Sequence, residues 1–437
     1  MKNILLKNKL DIWYILVLFF ITIPLERIGS FGLAGFTVRL SQIIILGLLC
    51  FYFWSLVKKE QREVVMPYPI VLYVIFLCAG LVSLITAKEQ MRGLFILIFD
   101  AFMISVPVVI VWLVDTRKKL EAIIAVLVYI SVVVCAFGFF QFFGDLIGLP
   151  QALTGLSDRY VKIVVGIPRI QSTFIEPLYL ANFLVFPLMA TAFLSLKKKQ
   201  PKRIQYFAFS VIFFLAIVLT LSKGGIAVTI ALLLGVVVFY FRSVFSKKNI
   251  PYFIALAVLI AGLGWGILGI SQRALDLNKN ITKAIEVLTG GSVRERQEAS
   301  DTALQAFYEH PVTGIGVGNF GPYYAGYPTQ APDYGWAITN NEFLEVLAEM
   351  GILGLTLFIL FLGSIFYRSI YLYFIVKDEF TRLALIATLF ALVGVFIQYF
   401  TFSTLYIMHI WVLIGITLAA QNIAQKEIDS KSRLLQT

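Results

Sequence analysis

The sequence predicts an all-α fold: a polytopic integral membrane protein of about 12 transmembrane helices, with a large external loop between spans 9 and 10. Three observations carry this. The 437 residues are 59% hydrophobic and only 14% charged, where a soluble domain is about a quarter charged. That excludes a cytosolic enzyme, a disordered chain and a disulfide scaffold. Apolar runs of about 20 residues, the length that crosses a bilayer, recur along the whole chain. Basic residues gather in every second connection between those runs. Open sheets are excluded as spans, because lipid offers no partner for their edge groups.

The spans fall roughly at 12–28, 40–57, 68–86, 93–114, 120–143, 174–195, 204–221, 224–241, 250–270, 347–367, 383–400 and 403–420. The first lacks a small-residue cleavage site and is followed by further spans, so no removable signal peptide is expected. With both termini cytoplasmic, about 23 of the cations lie inside, among them Lys58, Arg117 to Lys119, Lys197 to Lys199 and Arg368. The formal net charge of +11 then divides into about +14 inside and about −3 outside. The charge is a topology signal, and no nucleic-acid partner is needed to explain it. Cys50, Cys78 and Cys135 lie in apolar runs without a CxxC pattern and read as small hydrophobes. His310 and His409 are the only histidines, so a His-based metal site is not expected; the expectation is of a metal-independent protein without a cofactor. No internal repeat is visible, which gives an inverted-repeat transporter no support.

Three segments follow from this division: an N-terminal bundle over 1–270 with about nine spans, an external loop over 271–346, and C-terminal spans with a cytoplasmic tail over 347–437. Within the loop, Ser292 to Glu295 fits a capping box. Apolar or small residues then recur with helical period at Ala299, Thr302, Ala303, Ala306 and Phe307, until His310-Pro311 ends the helix. Charges along this stretch place it on the membrane surface. Arg294 and Arg296 sit in its first turn, where the helix dipole disfavours cations. They are either solvated or held there by an anionic partner. Gly314, Gly316 and Gly318 alternate in a tight, close-packed turn, but with no strand before them and no P-loop lysine after them they do not make a nucleotide site. Tyr323 to Trp336 is rich in aromatic residues, suited to headgroup anchoring or to stacking on sugar rings. Thr339-Asn340-Asn341-Glu342 has a second capping-box pattern, and Glu342, Glu345 and Glu349 share one face of the helix it opens. Those carboxylates are either a solvated collar or a functional base that faces a wet cavity.

Further charges stand on the outer side. Lys223 occupies the short hairpin Ser222-Lys223-Gly224-Gly225, either snorkelling or binding a substrate anion. Arg169 and Glu176 flank the mouth of span 6, where a helix N-terminus or a polar cavity suits Glu176. Asp100, within span 4, is a further candidate for a cavity-facing charge. Arg169, Lys223, Arg294 and Arg296 could together hold one anion, and arginine forks suit pyrophosphate.

At these residues the chain resembles the O-antigen ligase/polymerase family of Wzy/WaaL-like membrane glycosyltransferases. Leu219 to Gly225 resembles the family's Ser-Arg-Gly hairpin. Arg296, followed by Ala303 to Phe320, resembles its Arg-helix-Pro-x-x-Gly-x-Gly signature. Asn340 to Glu345, continuing through Glu349 to Gly354, resembles its His-Asn-x-x-Leu-Glu block. The likeness covers about residues 219–355. It implies an enzyme that transfers glycan from an undecaprenyl-pyrophosphate carrier at the outer face of the plasma membrane. The implied partners are a lipid-linked oligosaccharide donor, a glycan acceptor and membrane lipids. Arg296 and Lys223 would then hold the pyrophosphate leaving group. The chain departs from the family at Asn340, where ligases typically carry histidine. An amide is not a general base, so either a carboxylate such as Glu342, Glu345 or Glu176 serves, or catalysis rests on leaving-group stabilisation. The missing histidine favours a polymerase over a ligase; a flippase or transporter and a structural scaffold are the readings from other classes.

Overall fold

The computed structural model describes residues 2–33, 36–58, 66–157, 168–196, 202–240, 262, 291–328, 332, 335–403 and 405–434. Apart from residue 262, the expected span at 250–270 falls outside the described residues, as do Arg159 and Lys162 of the connection before span 6. The described chain is mostly helical. In order it runs α1 (Lys2–Thr22), β1 (Phe31–Leu33), β2 (Phe36–Val38), α2 (Leu40–Val57), α3 (Tyr68–Ser83), α4 (Gln90–Met103), α5 (Ser105–Leu113), α6 (Arg117–Leu146) and α7 (Gln151–Thr154). It continues with α8 (Pro177–Leu196), α9 (Arg203–Leu219), α10 (Lys223–Phe239), α11 (Gly291–Glu309), α12 (Phe320–Tyr324), α13 (Glu342–Ile375), α14 (Glu379–Gln398) and α15 (Met408–Leu434).

Among the described residues, six helices are long and apolar enough to cross a membrane: α2, the α4–α5 pair, α6, α8, α13 and α14. Four shorter apolar helices coincide with further expected windows: Ile12–Thr22, Tyr68–Ser83, Arg203–Leu219 and Lys223–Phe239. Several boundaries differ from the sequence expectation for identifiable reasons. The first span stops at Thr22 rather than near 28, because Pro24 has no N–H and disfavours helix in the residue before it. The fourth is divided around Ile104, one turn before Pro107, whose missing N–H breaks the ladder there. The last begins at Met408 rather than 403, leaving a non-helical segment that carries Tyr406. The β1–β2 hairpin is an addition to the all-helical expectation.

The chain divides into two compact units. The first comprises 1–23, 32–123 and 294–437; the second comprises 24–31 and 124–293. In the first, α13 packs on α3, and α15 packs on α5 and α14. Its core is aromatic at α3 and α13, where Tyr73 meets Phe361 with ring centroids 4.9 Å apart and Phe76 meets Phe358 at 5.6 Å. In the second, α8 packs on α9 and α10.

Candidate functional site

The site in the first unit is assembled around a broken helix. α13 has the N-cap Asn341, whose side chain accepts the N–H groups of Phe343 and Leu344 at 3.1 and 3.2 Å. The helix therefore opens on Asn341, two residues past the Thr339 start that the spacing predicts and without the reciprocal N3 bond of a capping box, because the Thr339 hydroxyl is engaged with Asn341 O and Glu345 Oε2. Asn340, immediately before the cap, has φ 55°, a left-handed conformation that asparagine tolerates better than most residues. Among the described residues its side chain makes only a long contact to the Ile338 carbonyl, 3.4 Å.

Two residues after Glu349, Gly351 takes φ 63° and ψ −164° and interrupts the helix. The break would leave backbone groups unsatisfied, which is costly in an apolar setting. The segment 311–316 satisfies them. Ile315 N–H donates to Ala348 O (3.0 Å), Gly316 N–H to Glu349 O (2.9 Å), and Ile352 N–H to Pro311 O (2.9 Å). A side chain on Gly351 would collide with the Val312 carbonyl, and one on Gly314 with the Glu349 backbone. Both glycines of the loop, Gly314 and Gly316, are buried with positive φ; Gly314 thus lets the loop lie directly on α13, while Gly316 lies against Ala87 and the Ser83 carbonyl, at α3 and the turn after it.

Glu349 completes the attachment, accepting Gly318 N–H at 2.8 Å and Phe320 N–H at 2.9 Å, one on each oxygen. The loop is also tied to α3 and the turn after it. Thr86 Oγ1 donates to Gly314 O (2.6 Å), and Glu89 N–H donates to Asn319 Oδ1 (2.8 Å). Behind it, Ala299, Ala303 and Ala306 of α11 pack on Ile315, Phe320 and Ala348. That is the face the helical period marks out. Arg294 and Arg296 lie on the exposed side of α11, and Arg294 pairs with Glu298 at 2.9 Å. At its end, Glu309 accepts the Tyr323 hydroxyl at 2.7 Å. That bond, with one from Gln305, holds the Glu309 carboxyl below its ordinary range. Burial and the same bond push Tyr323 up to about 12.

This scaffold walls a chamber of about 250 Å³. Arg92 and Asp100 of α4, Glu342, Glu345 and Glu349 of α13, Trp336 and Tyr406 line it. Arg92, Ile96 and Asp100 are spaced i, i+4, i+8 and so share one helix face. The Arg92 guanidinium stands over the Trp336 ring at 5.2 Å, and its Nε donates to Gly318 O at 2.6 Å. Glu345 Oε2 accepts the Thr339 N–H at 3.1 Å. Asp100 is buried, and its Oδ1 has no hydrogen-bond partner among the described residues. Glu342 and Glu349 are also buried, so these two are not part of a solvated collar, and Glu345 between them is half-buried. Among the described residues no group of His, Cys, Asp and Glu is arranged to hold a metal ion.

The second unit holds the other sequence candidates. Arg169 Nε donates to Thr220 O at 3.0 Å, and Ile170 N–H donates to Leu219 O at 3.1 Å. These bonds fix Arg169 beside the hairpin that carries the exposed Lys223. Ser222 is the N-cap of α10, accepting from Gly225 N–H. The strap from 168 to 176 is held further by Ser172, which has φ 51°. Its N–H donates to Gln141 Oε1 at 2.7 Å and its hydroxyl to Val134 O at 2.7 Å. Glu176 stands at the start of α8, where its carbonyl accepts the Tyr179 N–H at 3.1 Å.

The structure thus gathers Glu342, Glu345 and Trp336 in one chamber of the first unit, and within the second unit it sets Arg169 beside the Lys223 hairpin. Asn340, Asn341, Gly314, Gly316 and Tyr323 shape or brace the chamber's surroundings. Arg92 is absent from the sequence-derived site. The signal for it exists: an arginine in the first turn of an apolar span, on the side that the topology rule disfavours, as with Lys223.

Residues 208–359 match the family model described as O-antigen ligase. No curated protein matches the chain.

Proposed function

The O-antigen ligase domain over residues 208–359 supports membership of the O-antigen ligase/polymerase family, and from that premise we propose that the protein is a polyprenyl-pyrophosphate-dependent glycosyltransferase. It joins glycan repeat units at the outer face of the plasma membrane, with about twelve spans and both termini cytoplasmic. The observation that carries the reading is the chamber in which one arginine and one tryptophan share a wall with four carboxylates. Aromatic faces and carboxylates suit a sugar's ring and hydroxyl groups.

In this reading the acceptor glycan enters the chamber, oriented by Arg92 and Trp336. Glu345 accepts the proton of the attacking hydroxyl. Glu349 is excluded as the base, because both its oxygens are occupied by backbone N–H groups. The hydroxyl oxygen forms a bond to the anomeric carbon of the donor. The bond from that carbon to the pyrophosphate oxygen breaks, and the electron pair leaves with the pyrophosphate. Arg296 and Lys223, with Arg169 and Arg294, stabilise that leaving group as charge develops on it. No metal or other cofactor is required.

The test is elongation of a lipid-linked repeat unit by the purified full-length protein without nucleotide sugar. Elongation supports a polymerase. Transfer only of finished chains to a lipid or protein acceptor makes it a ligase, and transport without bond formation sinks the enzyme reading. Arg296→Ala, Lys223→Ala and Arg92→Ala should each lower transfer by about a hundredfold or more, with membrane insertion unchanged. Lys223→Arg should be tolerated.

A further inference from the structure

A second, apolar cavity of about 630 Å³ lies between α2 and α4. Ile43, Leu46, Phe95, Ile98, Phe99 and Phe102 form its walls, and several of these side chains stand largely exposed. Its volume is that of a ligand pocket. One end is polar: Arg39 and Gln42 line it. Arg39 Nε is buried with no hydrogen-bond partner among the described residues, while Gln42 Oε1 is taken by the Arg39 N–H at 2.9 Å. A buried cationic donor without an acceptor is expensive, and a bound anion removes that cost. Ile96 and Tyr406 line both this groove and the carboxylate chamber. A ligand that fills both has a long hydrocarbon chain, an anionic group beside the chain, and a hydroxylated head.

We propose that the groove is the lipid subsite for the acceptor, taking the hydrocarbon chain of a polyprenyl pyrophosphate with its anion at Arg39 and its glycan in the chamber. This rests on the glycan-transfer reading and deepens it: the acceptor is itself lipid-borne, as chain growth by a polymerase demands. A two-tailed phospholipid matches less well, since it leaves the chamber empty. Neither Arg39 nor any groove residue belongs to the segment that matches the family model, so the assignment comes from this chain's own geometry.

The probe is undecaprenyl pyrophosphate carrying a photoreactive group on its hydrocarbon chain, added to the full-length protein in nanodiscs. Labelled peptides should map to residues 37–46 and 95–102. Arg39→Gln should lower labelling there by about tenfold, the scale of one lost charge-assisted bond, and Arg39→Lys should recover part of it. Leu46→Trp, which fills the groove at a lipid-exposed position, should lower it as well, with a monodisperse protein as the check on folding. Photoreactive phosphatidylglycerol should label the groove weakly and fail to compete. Equal labelling by phosphatidylglycerol, labelling confined to other segments, or labelling indifferent to both Arg39→Gln and Leu46→Trp overturns the proposal. Normal glycan transfer with no groove label defeats the subsite alone. Groove labelling without any glycan transfer defeats the enzyme reading and leaves the lipid site standing.

Discussion

At the scale of single residues, backbone geometry separates structural roles from chemical ones. Asn340 occupies the position where the family pattern has histidine, yet its φ of 55° supplies a conformational reason for asparagine. Glycine takes that geometry at little cost. Asn340→Gly should therefore retain both melting temperature and transfer, whereas Asn340→Val should be destabilised by about 1–2 kcal/mol; a large loss of transfer in the folded glycine variant would restore a chemical role to the amide. Glu309 and Tyr323 give a pH signature. The Tyr323 hydrogen bond lowers the folded carboxyl below its unfolded value, so the bond's contribution is complete above about pH 4.3. It is lost as pH falls through the lower folded value. Limited proteolysis at 325–340 should accelerate below about pH 4 in the wild type, and Tyr323→Phe should show the faster rate already at neutral pH.

At the scale of elements, α13 explains why the loop before it has its composition. Its first turn needs a cap, the break at Gly351 needs a partner, and the 311–320 segment supplies that partner. Asn341→Ala removes the cap from two N–H groups and should cost about 1 kcal/mol, read as a lower melting temperature in detergent with the chamber's carboxylates still in place. The small-residue face of α11 has a parallel logic: alanine at 299, 303 and 306 permits close approach to Ile315, Phe320 and Ala348. That face was legible in the sequence from helical periodicity alone, and so was the shared face of the three glutamates. The docking of the glycines was legible only as a need for close approach, not as a choice of partner. The Gly351 break was not legible, because Glu349-Met350-Gly351-Ile352-Leu353-Gly354 sits within a continuous apolar run and one glycine does not by itself end a helix.

For the whole molecule, the sequence predicts the helical membrane class and most helix positions from hydropathy, since length and apolarity are local properties. The chamber depends on which helices become neighbours, and hydropathy carries no such information. Arg92 and Asp100 join Glu345 from about 250 positions away in sequence, and only the eight-residue spacing of the first two hints at a shared face. Arg39 was hidden likewise, as one more outer cation. Orientation is open to direct measurement. In a variant without native cysteines, Arg294→Cys should react with a membrane-impermeant maleimide in intact cells. Lys118→Cys should react only after permeabilisation, and the opposite pattern would invert the topology. The break in α13 also bears on how the chain is made. A helix with open backbone groups along its length partitions poorly into lipid by itself. The segment that closes those groups precedes the helix in the chain, so it has already left the ribosome when α13 emerges. Synthesis order thus delivers the partner before the segment that needs it, and a permuted chain that reverses this order should insert α13 less efficiently during translation.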